Sequence, residues 1–274
     1  MSIEVTTPSV PDELIAAFHR DGFVVVPDLL SPGELDTLSP IVEDAVARRL
    51  ATDGRTLEEK SRYEQSFQQC MNLWEDTPEI RPLTFHPRVA ATAAGLLGVD
   101  AVRLWHDQAL FKEAGGRETD PHQDQPYWPI AEPVTITAWV PLDGSTMANG
   151  AMGYVAGSHQ VGLNRFINIF FGEPENLLED PALDGATPTF VEVPRGSVAF
   201  HHGLTAHLAR ANTTDQTRRV HTMIYFADGC TRGAAHGHFC VDRPGIEHGA
   251  PIASSLTPIA FPRPSGDLPG TPDC

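Results

Sequence analysis

Apolar side chains recur at helical spacing in three stretches before residue 100. Ser31, followed by Glu34 three positions later, forms a capping box that predicts a helix start. Between the first two helical stretches, four apolar residues predict a short strand over 23–26. The helical stretches are residues 11–21, which end at Gly22, residues 31–46, and residues 87–97, which end at Gly98.

The pattern changes after residue 100 to short runs of β-branched and aromatic residues. Turn signals such as Asp143-Gly144 and Asn149-Gly150 separate these runs. Many short strands of this kind predict a barrel or sandwich, with helices packed outside one β-core. The predicted strands are residues 101–105, 134–140, 151–155, 190–193, 197–200 and 219–226.

The chain has no internal repeat and no linker. We therefore expect one domain over residues 1–274, with a helical part over about 1–100, a β-core over about 101–226 and a loop-rich tail over 227–274. The fold class predicted is mainly β with flanking helices (α+β). The tail could close over a site or pack on the surface.

Composition and charge narrow the function classes. The 274 residues include 23 Gly, 24 Pro and 41% hydrophobic residues, which is typical of a folded protein rich in turns. The formal net charge of −17 argues against a nucleic acid or an anionic membrane as partner, because both attract basic surfaces. A small-molecule substrate is the partner expected, and the sequence predicts no oligomeric state.

The cysteines and the termini indicate a reducing compartment. Cys70, Cys230, Cys240 and Cys274 show neither CxxC spacing nor the density of a disulfide framework. No apolar run is long enough for a membrane helix, and the first residues lack the apolar core of a signal peptide. We therefore expect a soluble, cytoplasmic protein in which any metal is held by histidine and carboxylate.

Residues 121–128, PHQDQPYW, contain the strongest chemical signal. His122 and Asp124 stand two apart, so on an extended strand their side chains would leave the same face. An imidazole and a carboxylate supply two of the three ligands of a non-haem Fe(II) site, and His207 is placed to supply the third. His-x-Asp alone is a weak signal, since most such pairs are two polar residues of a surface strand.

The residues after His207 strengthen this interpretation. Asn212 follows five positions later and Arg218 eleven positions later. If 2-oxoglutarate occupies two metal positions, its far carboxylate needs a fixed cation, and a planar guanidinium suits that bidentate contact. Arg218 could fill the role, whereas Arg219, on the opposite face of a strand, is expected to form a surface salt bridge.

Several segments together resemble the phytanoyl-CoA dioxygenase family of Fe(II)/2-oxoglutarate oxygenases. The resemblance runs from about Phe23 to Phe226 and includes Asn149-Gly150 followed by Gly157-Ser158-His159, with Ala156 where proline is usual. It implies a double-stranded β-helix (jelly-roll, cupin-like) core, with Fe(II), 2-oxoglutarate and O₂ as cofactors and co-substrate. The matching segments are DGFVVVPDLLSPGEL, HQDQPYW, AWVPLDGSTMANGAMGYVAGSH and RGSVAFHHGLTAHLARANTTDQTRR.

Carried over by position, the resemblance implies metal ligation by His122, Asp124 and His207, which are thereby the catalytic residues. It also implies 2-oxoglutarate binding by Arg218, with Trp139 as an aromatic beside it and Gln108 near the carboxylates. One departure is Ala209, where the family often has a serine that contacts the co-substrate. We expect either one contact fewer or replacement of the serine by Thr205 or Thr214. The retained Asp124 argues against halogenation.

Substrate residues are predicted from loops near the metal. Tyr127 and Trp128 follow the metal segment and are either core or cavity wall, while Asn72, in the segment 69–74, could fold over the same mouth. His201 and His202 are expected to be wall residues on opposite faces of a strand. The remaining histidines with metal-like or conspicuous positions, His159, His236 and His238, are expected to lie in loops.

The function implied is hydroxylation of an unactivated C–H of a small molecule with release of succinate and CO₂; desaturation, ring formation and epoxidation remain open. A natural product, an amino-acid derivative or a lipid-like acid is favoured over an acyl-CoA, because no Lys/Arg cluster is present to bind one. Two alternatives stay open. One is a cupin-type metal protein acting as an isomerase, a 2-oxoglutarate-independent dioxygenase or a binding module, and the other is an inactive, binding member of the family.

Overall fold

The structure is a computed structural model that describes residues 10–171, 175–233, 236–263 and 267–273. Cys274 and the first nine residues, on which some of the expectations above depend, lie outside the described residues. The other three cysteines, Cys70, Cys230 and Cys240, are buried free thiols. Among the described residues, no helix combines the length and apolar character needed to cross a membrane.

The three predicted helices are present, and their ends follow the predicted signals. Ser31 Oγ accepts the backbone N–H of Glu34 while the Glu34 carboxylate accepts the N–H of Ser31, which confirms the capping box. Gly22 and Gly98 end their helices in the left-handed conformation that glycine adopts without strain. The helices are α1 (Asp12–Asp21), α2 (Pro32–Arg49), α3 (Leu73–Asp76), α4 (Arg81–Thr84), α5 (Pro87–Leu97) and α6 (Phe239–Asp242).

Eleven strands among the described residues form two antiparallel sheets. They are β1 (Phe23–Val26), β2 (Gln68–Met71), β3 (Val102–Lys112), β4 (Thr119–His122), β5 (Thr135–Pro141), β6 (Met152–Tyr154), β7 (Thr189–Val191), β8 (Val198–His202), β9 (His207–Ala209), β10 (Arg218–Ala227) and β11 (Ile259–Phe261). The larger sheet has the order β1-β8-β5-β10-β3-β11, with β2 paired to β3, and the smaller has the order β4-β9-β6-β7. The prediction of a mainly β protein with flanking helices is confirmed.

Side chains along the strands of the larger sheet alternate between a face that is covered by helices and a face that points to the interior. On β5, Ile136 and Ala138 pack into the core cluster that contains α2 and α5, while Thr137 and Trp139 point between the sheets. Trp139 packs there against Met152 and Tyr154 of the smaller sheet. The polar interior residues of the larger sheet therefore face a cavity, and their apolar neighbours form the core beneath the helices.

The chain after residue 227 is more ordered than its sequence predicted. β11 pairs antiparallel with β3, so it adds a strand to the edge of the larger sheet. Val241 and Ile252 are buried in a cluster with Trp105 and Phe226. These contacts bring residues 236–239, 242 and 243 to the cavity between the sheets. The two alternatives left open for the tail were closure over a site and packing on the surface. Its residues in the cavity wall favour the first.

Candidate metal centre and its cavity

His122 and His207 are brought together by strand pairing. His122 ends β4 and His207 begins β9, and the two residues are direct partners in the antiparallel register. Their ring centroids are 4.3 Å apart. Cross-strand partners lie on the same face of a sheet, so the pairing alone places both imidazoles side by side.

Asp124 reaches this pair from a turn, which corrects the expectation of a shared strand. β4 ends at His122, and Asp124 has helical backbone angles at the start of a short 3₁₀ turn. The backbone N–H groups of Asp124 and Gln125 both donate to the carbonyl of Gly203, which fixes the turn against the chain between β8 and β9. The same-face argument therefore gave the right neighbours for the wrong reason.

The three side chains form a compact group of possible metal ligands. Asp124 Oδ1 lies 3.7 Å from Nε2 of His122 and 3.7 Å from Nε2 of His207. One ligand atom from each residue falls within 4.8 Å of the others, and this is the one such group found in the described part of the chain. Two imidazoles and one carboxylate form the donor set that suits non-haem Fe(II).

Hydrogen bonds orient both imidazoles for metal binding. His122 Nδ1 contacts the carbonyl of Asp120 at 2.8 Å, and His207 Nδ1 contacts the carbonyl of Thr205 at 2.9 Å. A carbonyl oxygen only accepts, so each Nδ1 carries the proton and each Nε2 presents a lone pair toward Asp124. Burial lowers the pKa of both histidines to about 4, which keeps the rings neutral near pH 7.

The second oxygen of Asp124 is held by two residues of the larger sheet. His201 Nε2 lies 3.2 Å from Oδ2, and Thr137 Oγ1 donates to the same oxygen at 3.0 Å. Burial opposes the charged carboxylate, yet His207 and the His201 hydrogen bond hold the pKa of Asp124 below its usual value. His201 is thus the wall residue expected, whereas Thr137 was missed because an isolated threonine in a strand carries no sequence signal.

A cavity of about 1060 Å³ opens beside this group. His122, Asp124 and His207 lie in its wall together with Gln108, Trp139 and Arg218. The residues assigned to the metal and to 2-oxoglutarate therefore share one space, although they come from β3, β4, β5, β9 and β10 and from the turn after β4.

Arg218 is 3% exposed, and its charge is not neutralised by a carboxylate among the described residues. One Nη donates to the carbonyl of Gly150 at 2.7 Å, the guanidinium carbon lies 5.0 Å from the ring centroid of Trp139, and Nε has no hydrogen-bond partner. Burial lowers the pKa of Arg218 only to about 10, so it stays charged near pH 7. A buried cation in this state suits the far carboxylate of a dicarboxylic acid.

The serine hydroxyl that is missing at Ala209 is not replaced by either of the two threonines proposed from the sequence. Thr205 Oγ1 donates to the carbonyl of Gly22, and Thr214 Oγ1 donates to Asn212 Oδ1, so both hydroxyls are used away from the cavity. The cavity instead contains Thr119, the cross-strand partner of Ala209. It also contains Thr222, the partner of Gln108 across β10 and β3. Only the register reveals these hydroxyls.

Of the predicted substrate residues, two line the cavity and one does not. Tyr127 lies in the wall and donates its hydroxyl to the carbonyl of Ile167. Trp128 lines the cavity but is 6% exposed and packs with Trp105, so both alternatives for this residue hold. Asn72 is absent from the lining: its side chain contacts Glu75, because its left-handed backbone starts α3 and turns the side chain away.

The other conspicuous side chains are placed as follows. Arg219 forms ion pairs with Glu43 and Asp143, as expected of the outward face of β10. His159 contacts the carbonyl of His19 in α1. His236 and His238 lie in the loop before α6, outside the group of metal-ligand candidates, but both line the cavity. Their place in the cavity wall was not predicted.

The sequence resembles known proteins whose names agree with a site of this kind. The chain is 28% identical over 166 residues to a phytanoyl-CoA dioxygenase of Arabidopsis thaliana, an alignment that covers 58% of this chain and 56% of that protein. It is 25% identical over 264 residues to phytanoyl-CoA dioxygenase domain-containing protein 1 of Danio rerio, covering 77% and 88%. The match thus spans little more than half of the plant protein.

Solved structures extend the likeness to the fold. The carbocyclase SnoK from nogalamycin biosynthesis, described as non-haem and α-ketoglutarate dependent, superposes with a TM-score of 0.74 at 27% identity, covering 91% of this chain and 96% of that one. The epimerase SnoN, crystallised with Fe³⁺, α-ketoglutarate and nogalamycin RO, gives a TM-score of 0.75 at 27% identity, covering 91% and 98%. The predicted double-stranded β-helix core is confirmed.

The family model described as phytanoyl-CoA dioxygenase (PhyH) matches residues 18–220, which include all three candidate ligands and Arg218. The chain therefore belongs to the phytanoyl-CoA dioxygenase family.

Proposed function

We propose that this protein is an Fe(II)- and 2-oxoglutarate-dependent oxygenase that hydroxylates an unactivated C–H of a small molecule. The single observation that carries the proposal is the shared cavity. His122, Asp124 and His207 converge there, and the buried guanidinium of Arg218 lies in the same wall. SnoN, whose crystals contain iron and α-ketoglutarate, has the same fold and supports the choice of cofactors.

In this proposal each residue has a defined task. His122, Asp124 and His207 would hold Fe(II), and 2-oxoglutarate and O₂ would reach it from the cavity that these residues line. Arg218 binds the far carboxylate of 2-oxoglutarate, with Trp139 beneath the guanidinium and Gln108 and Thr222 nearby. With Fe(II) bound, the site would supply the oxidation of a substrate C–H to C–OH by O₂, with one oxygen atom going to the product and the other to the succinate formed with CO₂ from 2-oxoglutarate.

The protein's contribution is orientation and the exclusion of water. Hydrogen bonds from His201 and Thr137 keep one oxygen of Asp124 occupied, so the other would be available to a metal ion. The rings of Tyr127, Phe166 and Phe170 in the cavity wall make the substrate side of the site unfavourable for water. Hydroxylation is proposed over cyclisation or epimerisation because it is the simplest result of oxidising a C–H bond.

Two alternatives are weighed against the same geometry. A cupin-type enzyme that does not use 2-oxoglutarate would have no use for the buried, carboxylate-free guanidinium of Arg218 next to the ligands. An inactive binding member would not need to preserve two oriented Nε2 atoms and one free carboxylate oxygen. Both alternatives therefore leave a feature of the site unexplained.

The test is iron content together with 2-oxoglutarate binding and succinate formation. We expect wild type to retain Fe(II), to bind 2-oxoglutarate anaerobically by calorimetry, and to form succinate in air. His122→Ala and His207→Ala should lose most of the iron, whereas His248→Ala, on the exposed surface, should retain it. Full iron occupancy in both ligand variants, or no succinate from iron-loaded wild type, would contradict the proposal.

A further inference from the structure

The cavity beyond the metal ligands has a wall made of aromatic rings in mutual contact. Tyr63 lies 4.7 Å from Phe170 between ring centroids, and Tyr127 lies 5.4 Å from Phe170 and 5.2 Å from Phe166. All four residues line the cavity. Phe166 is 55% exposed, so the apolar surface continues to the rim. Such a wall favours a large apolar ligand, above all one with rings of its own.

A second part of the lining contains two neutral imidazoles. His106, on β3, and His238, before α6, have ring centroids 5.8 Å apart and ring planes 20° apart. His238 also stacks on Trp105 at 4.5 Å, which fixes its ring. Burial lowers the pKa of His106 to about 4 and that of His238 to about 2, so neither ring is charged near pH 7.

The hydrogen bonds of each ring determine which nitrogen carries the proton. His106 Nδ1 contacts the carbonyl of Asp107 at 3.3 Å and must therefore donate, which leaves Nε2 as an acceptor. His238 Nδ1 accepts the backbone N–H of Cys240 at 3.3 Å, which leaves Nε2–H as a donor. Neither Nε2 has a hydrogen-bond partner among the described residues. The cavity therefore offers one acceptor and one donor side by side.

Among the described residues that line the cavity, the positively charged side chains are already assigned or paired, so they do not serve a phosphate or a carboxylate of the substrate. Arg218 is assigned to 2-oxoglutarate, and Arg243 forms an ion pair with Glu75 at 3.0 Å. Asp242 is paired with Arg232 at 2.7 Å. The phosphates of a coenzyme A thioester would need basic side chains that this lining does not supply.

We propose that the cavity binds an uncharged molecule of several fused rings that carries a hydroxyl group. His106 accepts the hydrogen bond from this hydroxyl, and His238 donates one to its oxygen. Both are specificity-determining residues, and the proposal rests on the proposed function in that it names the substrate class of the same site. It is independent of turnover, because binding to the rings and imidazoles requires neither iron nor 2-oxoglutarate.

The test uses the full chain supplied with Fe(II) and 2-oxoglutarate under anaerobic conditions, so that Arg218 is occupied and no turnover occurs, with four probes: estrone, estrone 3-methyl ether, estrone 3-sulfate and stearoyl-CoA. Binding is measured by quenching of tryptophan fluorescence, to which Trp105 and Trp128 in or beside the cavity contribute. The methyl ether can accept but not donate, so wild type should bind estrone about tenfold more tightly than the ether. The sulfate and stearoyl-CoA should bind more weakly than both.

Two variants separate the roles of the imidazoles. His106→Phe should bind estrone and the ether within about twofold of each other, because the acceptor is lost. His238→Phe, which preserves stacking on Trp105, should weaken both probes by a similar factor, because the donor serves both. The surface variant His248→Phe should behave as wild type, and thermal melting verifies that each variant is folded.

The proposal is overturned if estrone does not bind, if the sulfate or stearoyl-CoA binds as tightly as estrone, if His106→Phe retains the wild-type preference for the hydroxyl, or if His238→Phe binds both probes as tightly as wild type. None of these results bears on iron content or succinate formation. A failure of the substrate class is therefore distinguishable from a failure of the proposed function.

Discussion

His201 Nε2 lies 3.2 Å from Oδ2 of Asp124, whereas Nε2 of His122 and Nε2 of His207 each lie 3.7 Å from the other carboxylate oxygen, Oδ1. The two residues are 77 positions apart, and the pairing of β8 with β5 places His201 directly opposite Thr137, which binds the same oxygen. The carboxylate is thereby held with Oδ1 toward the imidazoles. Partners of this kind tune a metal ligand without touching the metal.

The first prediction concerns these two positioning residues. His201→Phe and Thr137→Val should each weaken Fe(II) binding by about 10–100-fold, because Asp124 loses a partner that fixes its orientation. Metal titration by competition with a chelator measures the effect, and Thr137→Ser, which keeps the hydroxyl, should restore most of the affinity. A purely structural role would lower the melting temperature without changing metal affinity in the folded protein.

The second prediction compares two neighbouring arginines. Arg218→Ala should cost roughly 2–5 kcal/mol of 2-oxoglutarate binding, since a charged contact in a buried site is lost. Arg219→Ala should leave this binding unchanged, because its guanidinium pairs with Glu43 and Asp143 on the outside of the sheet. Calorimetric titration of 2-oxoglutarate into iron-loaded protein gives both values. Equal losses in the two variants would contradict the assignment of Arg218.

The third prediction concerns Trp128, which belongs to both core and cavity. Trp128→Ala should lower the free energy of unfolding by roughly 3–5 kcal/mol, as expected when a large buried side chain is truncated. Tyr127→Phe should cost only about 1 kcal/mol, the hydrogen bond to the carbonyl of Ile167. Denaturant unfolding of the two variants measures the difference, and a loss below 1 kcal/mol for Trp128→Ala would show that the residue contributes only to the cavity.

The fourth prediction is a pH dependence from Lys112, which is fully buried and donates from Nζ to the carbonyl of Arg117. Burial, with a further contribution from Arg218, lowers the pKa of Lys112 from 10.5 to about 6. Between about pH 6 and pH 10.5, Lys112 binds more protons in the unfolded chain than in the folded one. Its contribution to the free energy of unfolding therefore increases as the pH rises through this range.

Lys112→Met should therefore be more stable than wild type at pH 7, on the order of 2 kcal/mol, because no buried amine has to lose its proton. The advantage should shrink as the pH approaches 10. Urea unfolding of both proteins at pH 7 and pH 9.5 tests this, and groups common to both proteins cancel in the comparison. A wild type that is more stable at pH 7 would show that the Arg117 hydrogen bond outweighs the cost of burial.

Local periodicity determined the three longest helices, α1, α2 and α5, and the longer strands of this protein, whereas α3, α4 and α6 were not predicted. The ends of α2 and α5 follow from Ser31 with Glu34 and from Gly98, because capping depends on residues within one turn. β4 and β9, by contrast, are three or four residues long, too short for an alternation to be visible. β3 also extends past its predicted end, because its polar residues, among them Gln108, face the cavity.

The sequence by itself determined the family and the identity of the candidate site residues His122, Asp124, His207, Arg218, Trp139 and Gln108, all of which line one cavity. Only the tertiary structure decided how they meet, since strand register and a turn fixed by Gly203 place them. It also decided that His201 and Thr137 orient Asp124, that Asn72 lies outside the cavity, and that His238 lies in its wall. These relationships join residues far apart in the chain, and no local pattern encodes a contact that arises only when separate strands pair.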